Sequence, residues 1–186
     1  MKKDILSIVF FVCCVSFFIP SCTDPDKYKS QIRQVDSLSA ITDRTLNKLM
    51  AIDSVELFNG IQSLNADLEF ISEKKYDTLS REQALSLGSC SQALIALKKI
   101  QQKIPSLKSS LSISQKKLQE LRTDLKANAI ADEKVNGYVE TESKIIQGNF
   151  NSTSVILKIY SEHLSICENN QEIIRSMVNS ISEKIQ

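Results

Sequence analysis

The chain has 186 residues, with 23 basic and 22 acidic side chains and a net charge of +1. That balance gives no whole-chain electrostatic case for a polyanion partner. Four glycines, three prolines and no tryptophan argue against a turn-rich β-sandwich, and apolar residues recur too steadily for a disordered chain.

The N-terminus opens with Lys2 and Lys3, followed by an apolar run over residues 5–19 that contains Phe10, Phe11, Phe17 and Phe18. About 15 residues are too few to cross a bilayer as a helix, and they suit the core of a cleaved export signal. Ile19-Pro20-Ser21-Cys22 ends the run and resembles a bacterial lipobox. Ile19 and Ser21 fit the minus-three and minus-one positions, and Pro20 departs from the usual pattern at minus two. The resemblance implies that Cys22 receives a diacylglycerol, that cleavage precedes it, and that its new amino group is acylated. It also implies a cell-envelope protein anchored in a lipid bilayer, the outer membrane first among the choices. The expected domains are a signal at 1–21, a lipidated tether at 22–28 and a helical domain at 29–186. An uncleaved anchor and ordinary secretory cleavage are the alternatives that the residues leave open.

Beyond the tether the apolar spacing is helical. Met50, Leu57, Ile61, Leu64, Leu68 and Ile71 step mainly by three and four, with Ser54 in a vacant place. Leu107, Leu111, Leu118, Leu121 and Leu125 form a second seam with Ser114 in its gap. Ile146, Ile156, Tyr160, Ile174, Met177 and Ile181 mark a third. Such stripes lie on one side of a helix and suit coiled-coil-like packing. The pattern lapses near 76–79, before a capping box at Ser80 and Gln83. It lapses again near 128–131, before Asp132 and Glu133. The predicted fold is all-α: three arms at about 25–75, 80–127 and 131–185, packed as an elongated up-down-up antiparallel three-helix bundle. In outline it resembles spectrin-type bundles, although no motif of that family is present. Asp53 with Glu56 predicts a fresh helix start in the first arm. Pro105 predicts a kink or restart in the second, and residues 148–152 a break in the third.

Charge is distributed unevenly along these arms. Residues 24–79 carry 7 basic and 10 acidic side chains, residues 80–127 carry 9 and 3, and residues 128–186 carry 5 and 8. A basic arm between two acidic ones fits helices that pack together, and no nucleic-acid partner is expected. Catalytic signatures for zincins, serine hydrolases and nucleotide sites are missing. The lone histidine, His163, reads as a surface or packing residue. Glu140 and Glu142 do not share a helix face and read as charged surface. No enzyme activity, cofactor or metal is therefore expected.

Once the signal and Cys22 are set aside, Cys90 and Cys167 remain. Reflected through a turn near 129, they fall at the same height on neighbouring arms. A disulfide between them would close a loop of about 76 residues and contribute about 4 kcal/mol. Two buried free thiols fit the placement equally. Asp36-Ser37-Leu38, Asp53-Ser54-Val55 and Asp77-Thr78-Leu79 resemble the O-glycosylation acceptor of Bacteroidetes. The cysteine-terminated signal followed by Asp24 and Asp26 is similar to lipoproteins of that phylum. The resemblance implies Ser37 and Thr78 as acceptors, with Ser54 disfavoured by its place on the seam. Asp-Ser pairs serve equally as caps and turns.

The resulting expectation is a non-enzymatic, membrane-tethered scaffold, spacer or protein-binding module that meets another envelope protein, or pairs as a homodimer. The alternative is a helical ligand-binding or sensor module with a pocket near Pro105.

Overall fold

The computed structural model describes residues 27–74 and 78–185. The expected signal, Cys22 and most of the tether lie outside the described residues. Among those described there is no strand, and four helices form an all-α bundle: α1 (Lys29–Met50), α2 (Ser54–Glu73), α3 (Arg81–Lys126) and α4 (Asp132–Ile185). At 1.5 Å per residue, α3 extends about 70 Å and α4 about 80 Å. No described helix is long and apolar enough to cross a membrane.

Local chemistry accounts for the helix ends. The Asp53 carboxylate accepts from the Val55 and Glu56 amides at 2.8 and 3.0 Å, so α2 starts where the first arm was expected to restart. That contact holds the Asp53 carboxyl below the usual aspartate range. Ser80 and Gln83 make the reciprocal capping box at 3.1 and 2.9 Å. The end of α3 is closed by Asn128 with φ 51°. The Asn128 amide donates to Leu125 O at 3.2 Å and the Ala129 amide to Asp124 O at 2.9 Å. This is a Schellman closure, in which asparagine replaces the usual glycine.

Neither the restart allowed for at Pro105 nor the break expected at 148–152 occurs. α3 runs without restart through Pro105, because Pro105 lies on the exposed face between buried Ile104 and Leu107. α4 likewise continues through residues 148–152. Gly148 keeps a negative φ. Near it, Gln147 bonds Asn151 at 2.9 Å and Ser110 bonds Asn149 at 3.1 Å. Two seam assignments also change. Met50 is 58 % exposed, and Leu49 and Ile52 fill its place in the core. Ser54 is exposed at the first turn of α2.

The core divides into three apolar clusters along the bundle. Val35, Leu118, Leu125 and Val135 belong to the one nearest the start of α1. Leu49, Ile61, Ile104 and Leu111 belong to the middle one. Ile71, Cys90, Ile174 and Met177 belong to the third. Buried Thr42, Thr45, Ser114 and Thr153 occupy positions between the first two. Thr42 and Thr45 return their hydroxyl protons to their own helix, at 2.9 Å to Leu38 O and 2.7 Å to Ile41 O, which removes the cost of burying them.

Polar pairs follow an ordered sequence. Asp36 meets Arg122 at 2.6 Å, Asp43 meets Gln115 at 2.6 Å and Ser54 meets Lys108 at 3.5 Å; Asn65 accepts from Lys98. Partners on α3 fall in number as those on α1 and α2 rise. Between α3 and α4, Lys117 reaches Glu142 at 3.8 Å. Thus the basic arm contacts both acidic ones, as its charge predicts.

Tyr28 ties the start of α1 to the α3–α4 turn. It is 6 % exposed, and its hydroxyl donates to Ile130 O at 3.3 Å and to the Asp132 carboxylate. Lys27 pairs with the same carboxylate at 2.7 Å. The Lys27 and Tyr28 contacts hold the Asp132 carboxyl below its ordinary value of 3.8.

Two predictions follow from this packing. Leu118, 1 % exposed, should cost about 2–5 kcal/mol when changed to alanine. That corresponds to a melting temperature lower by roughly 4–20 °C, whereas Ile113→Ala, at a 54 % exposed site, should change it little. Equal losses would place Leu118 outside the core. Because the Asp132 carboxyl is depressed when folded, its contribution is present above pH 3.8 and is lost as the pH falls through the folded value. Asp132→Asn should therefore be less stable than wild type at about pH 6 and converge with it at about pH 2. A gap that persists in acid would assign the effect to packing.

Candidate functional site

Two grooves along α4 carry side chains that the core does not consume. The first lies between α2 and α4 and encloses about 250 Å³, with Leu57, Ile61, Leu64 and Leu164 on its walls. Glu56, Asp67 and Glu168 also line it, and no lysine or arginine does. Tyr160 stands in this acidic field. Its phenol is pushed up by burial and then by Glu56, Glu168 and Asp53.

The second groove lies between α3 and α4 and holds about 530 Å³. Its α3 wall runs from Gln92 to Lys103, ending two residues before Pro105, and its α4 wall runs from Asn151 to His163. Ile95 and Val155 line it at 55 % and 57 % exposure, beside Ile100, Ile156 and Ile159. Lys99 and Lys103 are its charged residues, one helical turn apart. Neither makes an ion pair among the described residues. His163 is half-buried here, and its Nδ1 is buried without a hydrogen-bond partner. A buried ring nitrogen left unpaired is costly. His163 lines the groove as a half-buried residue, which fits a surface or packing role.

The remaining candidates are dispersed. Ser37 is exposed within α1, and its neighbour Asp36 is engaged by Arg122 at 2.6 Å. Thr78 is exposed before Ser80, while Asp77 lies outside the described residues. Ser54, expected on a buried seam, is exposed beside the Asp53 cap. Glu140 pairs with Lys144 at 2.7 Å, as a surface carboxylate does. Glu142 is different: its side chain is 12 % exposed, and its Oε2 is buried without a partner. Among the described residues no group of three metal-binding side chains occurs.

Cys90 and Cys167 are free thiols in this structure. Cys90 is fully buried in the third cluster, and Cys167 is half-buried on the wall of the acidic groove. Burial raises the Cys90 thiol. Burial, followed by the influence of Cys90 and Glu168, pushes the Cys167 thiol up to about 11. Neither supplies much thiolate near neutrality.

The sequence reading did not identify Lys99, Lys103, Ile95 or Val155. Their signal was present as Ile95, Lys99 and Lys103 at steps of four, off the buried seam. Comparison with protein-family models, with curated proteins and with solved structures returns no match to this chain.

Under native reducing conditions an alkylating reagent should modify Cys167 before Cys90, following their exposure. Peptide mass spectrometry would read the order, and Cys90 reacting first would contradict the burial. In a chain isolated without reductant, the appearance of both thiols only after reduction in denaturant would identify a bridge.

Proposed function

We propose that this chain is a non-enzymatic cell-envelope lipoprotein, tethered through acylated Cys22, whose helices form an elongated up-down-up antiparallel bundle. It acts as a scaffold, spacer or protein-binding module for another envelope protein, as a single rod or as a homodimer. The observation that carries the reading is the junction at Tyr28. It sets the tether side of the chain against the α3–α4 turn, which leaves the α2–α3 connection at the other end of two helices about 70–80 Å long. The opposed numbering of polar partners along α3 supports the same arrangement. An anchor at one end and a connection far from it suit a protein that reaches outward from a membrane. Several acyl chains on one cysteine hold such a rod firmly, since each buried CH₂ contributes about 0.8 kcal/mol.

A second reading, a ligand-binding or sensor module, is favoured by one feature: the 530 Å³ groove between α3 and α4, which falls within the usual range for small-molecule sites.

Metabolic labelling with a clickable fatty acid should tag the wild-type chain and not Cys22→Ala; equal labelling would remove the lipoprotein reading. Small-angle scattering from residues 23–186 should give a maximum dimension of about 80 Å or more. A value near 50 Å would contradict the extended arrangement. Affinity capture from native envelopes, with the anchored chain as bait, would then identify the partner.

A further inference from the structure

We infer that the groove between α3 and α4 binds a single-chain anionic amphiphile, a fatty acid or a single-chain phospholipid, with its acyl chain on the apolar walls and its head at Lys99 and Lys103. The inference rests on the ligand-binding reading and goes beyond it by naming the ligand class. Four observations converge on the same stretch of surface.

The first is apolar exposure. Ile95 on α3 and Val155 on α4 line the groove at 55 % and 57 % exposure, half-buried Ile159 continues the lining, and Ile100 and Ile156 are already buried. Covering Ile95, Val155 and Ile159 with a hydrocarbon chain is favourable by about 25 cal/mol per Å² of apolar surface removed from water. The second is charge. Lys99 and Lys103 line the groove, no carboxylate does, and neither ammonium has an ion-pair partner among the described residues. The third is polarity, because His163 lines the groove. Gln92, Asn151 and Ser152 add further polar groups at the groove's edges. The fourth is size. The α3 wall spans twelve residues, about 17 Å of helix, and the space of about 530 Å³ suits one slender chain.

An acidic amphipathic helix is the rival occupant, since α1 itself packs against both α3 and α4. Charge separates the amphiphile from a neutral or cationic lipid, which would leave both lysines unanswered. The acidic groove between α2 and α4 has the opposite preference, with three carboxylates and no lysine or arginine on its lining.

The test uses the full chain in phosphatidylcholine vesicles. Three probes share one chain bearing a photoreactive diazirine: palmitic acid, the corresponding alcohol, and lysophosphatidylglycerol. After illumination and digestion, label from the acid or the lysolipid should concentrate on the peptides holding Ile95, Ile100, Val155 and Ile159. Which of the two labels more strongly identifies the source of the chain. The combined change Lys99→Gln and Lys103→Gln should lower groove label about tenfold without loss of helical circular dichroism. Val155→Trp, which fills the groove and keeps both charges, should lower it as well. Equal groove labelling by the alcohol, or no effect of removing both lysines, would overturn the anionic class while leaving a ligand groove. Label spread evenly along the helices from every probe would overturn both the class and the ligand-binding reading. Groove label displaced by an acidic amphipathic peptide but not by unlabelled palmitate would assign the surface to a protein and overturn the inference.

Discussion

The unbroken course of α3 through Pro105 is the constraint on which the rest of the bundle depends. α3 contributes to all three apolar clusters, through Leu118 and Leu125, through Ile104 and Leu111, and through Cys90. A proline inside a helix costs about 3 kcal/mol. Ile104 and Leu107, on either side of it, are buried, and each such side chain contributes roughly 1.5–3 kcal/mol. Burial therefore offsets the proline. A restart at that point would rotate everything beyond it by about 100° per residue of slip and separate Leu111 and Leu118 from their partners. The first arm carries no such penalty. Its break at 51–53 is capped by Asp53 and accommodated by Ile52, which is 3 % exposed.

Regular structure was readable from the sequence wherever one short-range rule controlled the outcome. The Ser80 capping box, the start at Asp53 and the turn at 128–131 each depend on residues within four positions of one another. Each appears where composition places it. The seam from Leu107 to Leu125 was equally legible because every member steps by three or four. For a common reason, the restart allowed for at Pro105 and the break at Gly148 did not form. Both are local breakers, and whether a breaker acts depends on which side of the helix it occupies and what packs opposite. Pro105 lies on the solvent face, and Gly148 sits beside Asn149 and Asn151, which make their own contacts. Met50 and Ser54 were assigned to the seam by spacing through a break, and a helix restart resets the phase.

The grooves were less legible because they are made from two helices at once. Lys99 and Lys103 belong to one arm, Val155 and His163 to another, and nothing in either segment alone distinguishes a groove wall from an ordinary charged face. Arm-wide charge was informative at a coarser level. The excess of basic residues in α3 is met by Asp36 through Arg122 and by Glu142 through Lys117. Lys99 and Lys103 are distinguished from the other basic residues of α3 by sharing one apolar groove. Tyr28 was missed for a similar reason. Its role arises from Ile130 and Asp132, more than a hundred residues away.

The polar positions between the first and middle clusters connect stability to arrangement. Thr42, Thr45, Ser114 and Thr153 interrupt what could have been one continuous apolar seam. Thr42 and Thr45 are satisfied within their own helix, whereas the Thr153 hydroxyl has no partner among the described residues. A sliding register would carry these hydroxyls against leucines from the neighbouring clusters, and unmatched burial of a hydroxyl costs about 1–3 kcal/mol. An all-leucine seam would tolerate a slip of one heptad far better. The polar layer thus lowers the maximum stability of the bundle but opposes misaligned packings. That alignment matters for the grooves, because Ile95 and Lys99 face Val155 and Ile159 in only one register of α3 against α4.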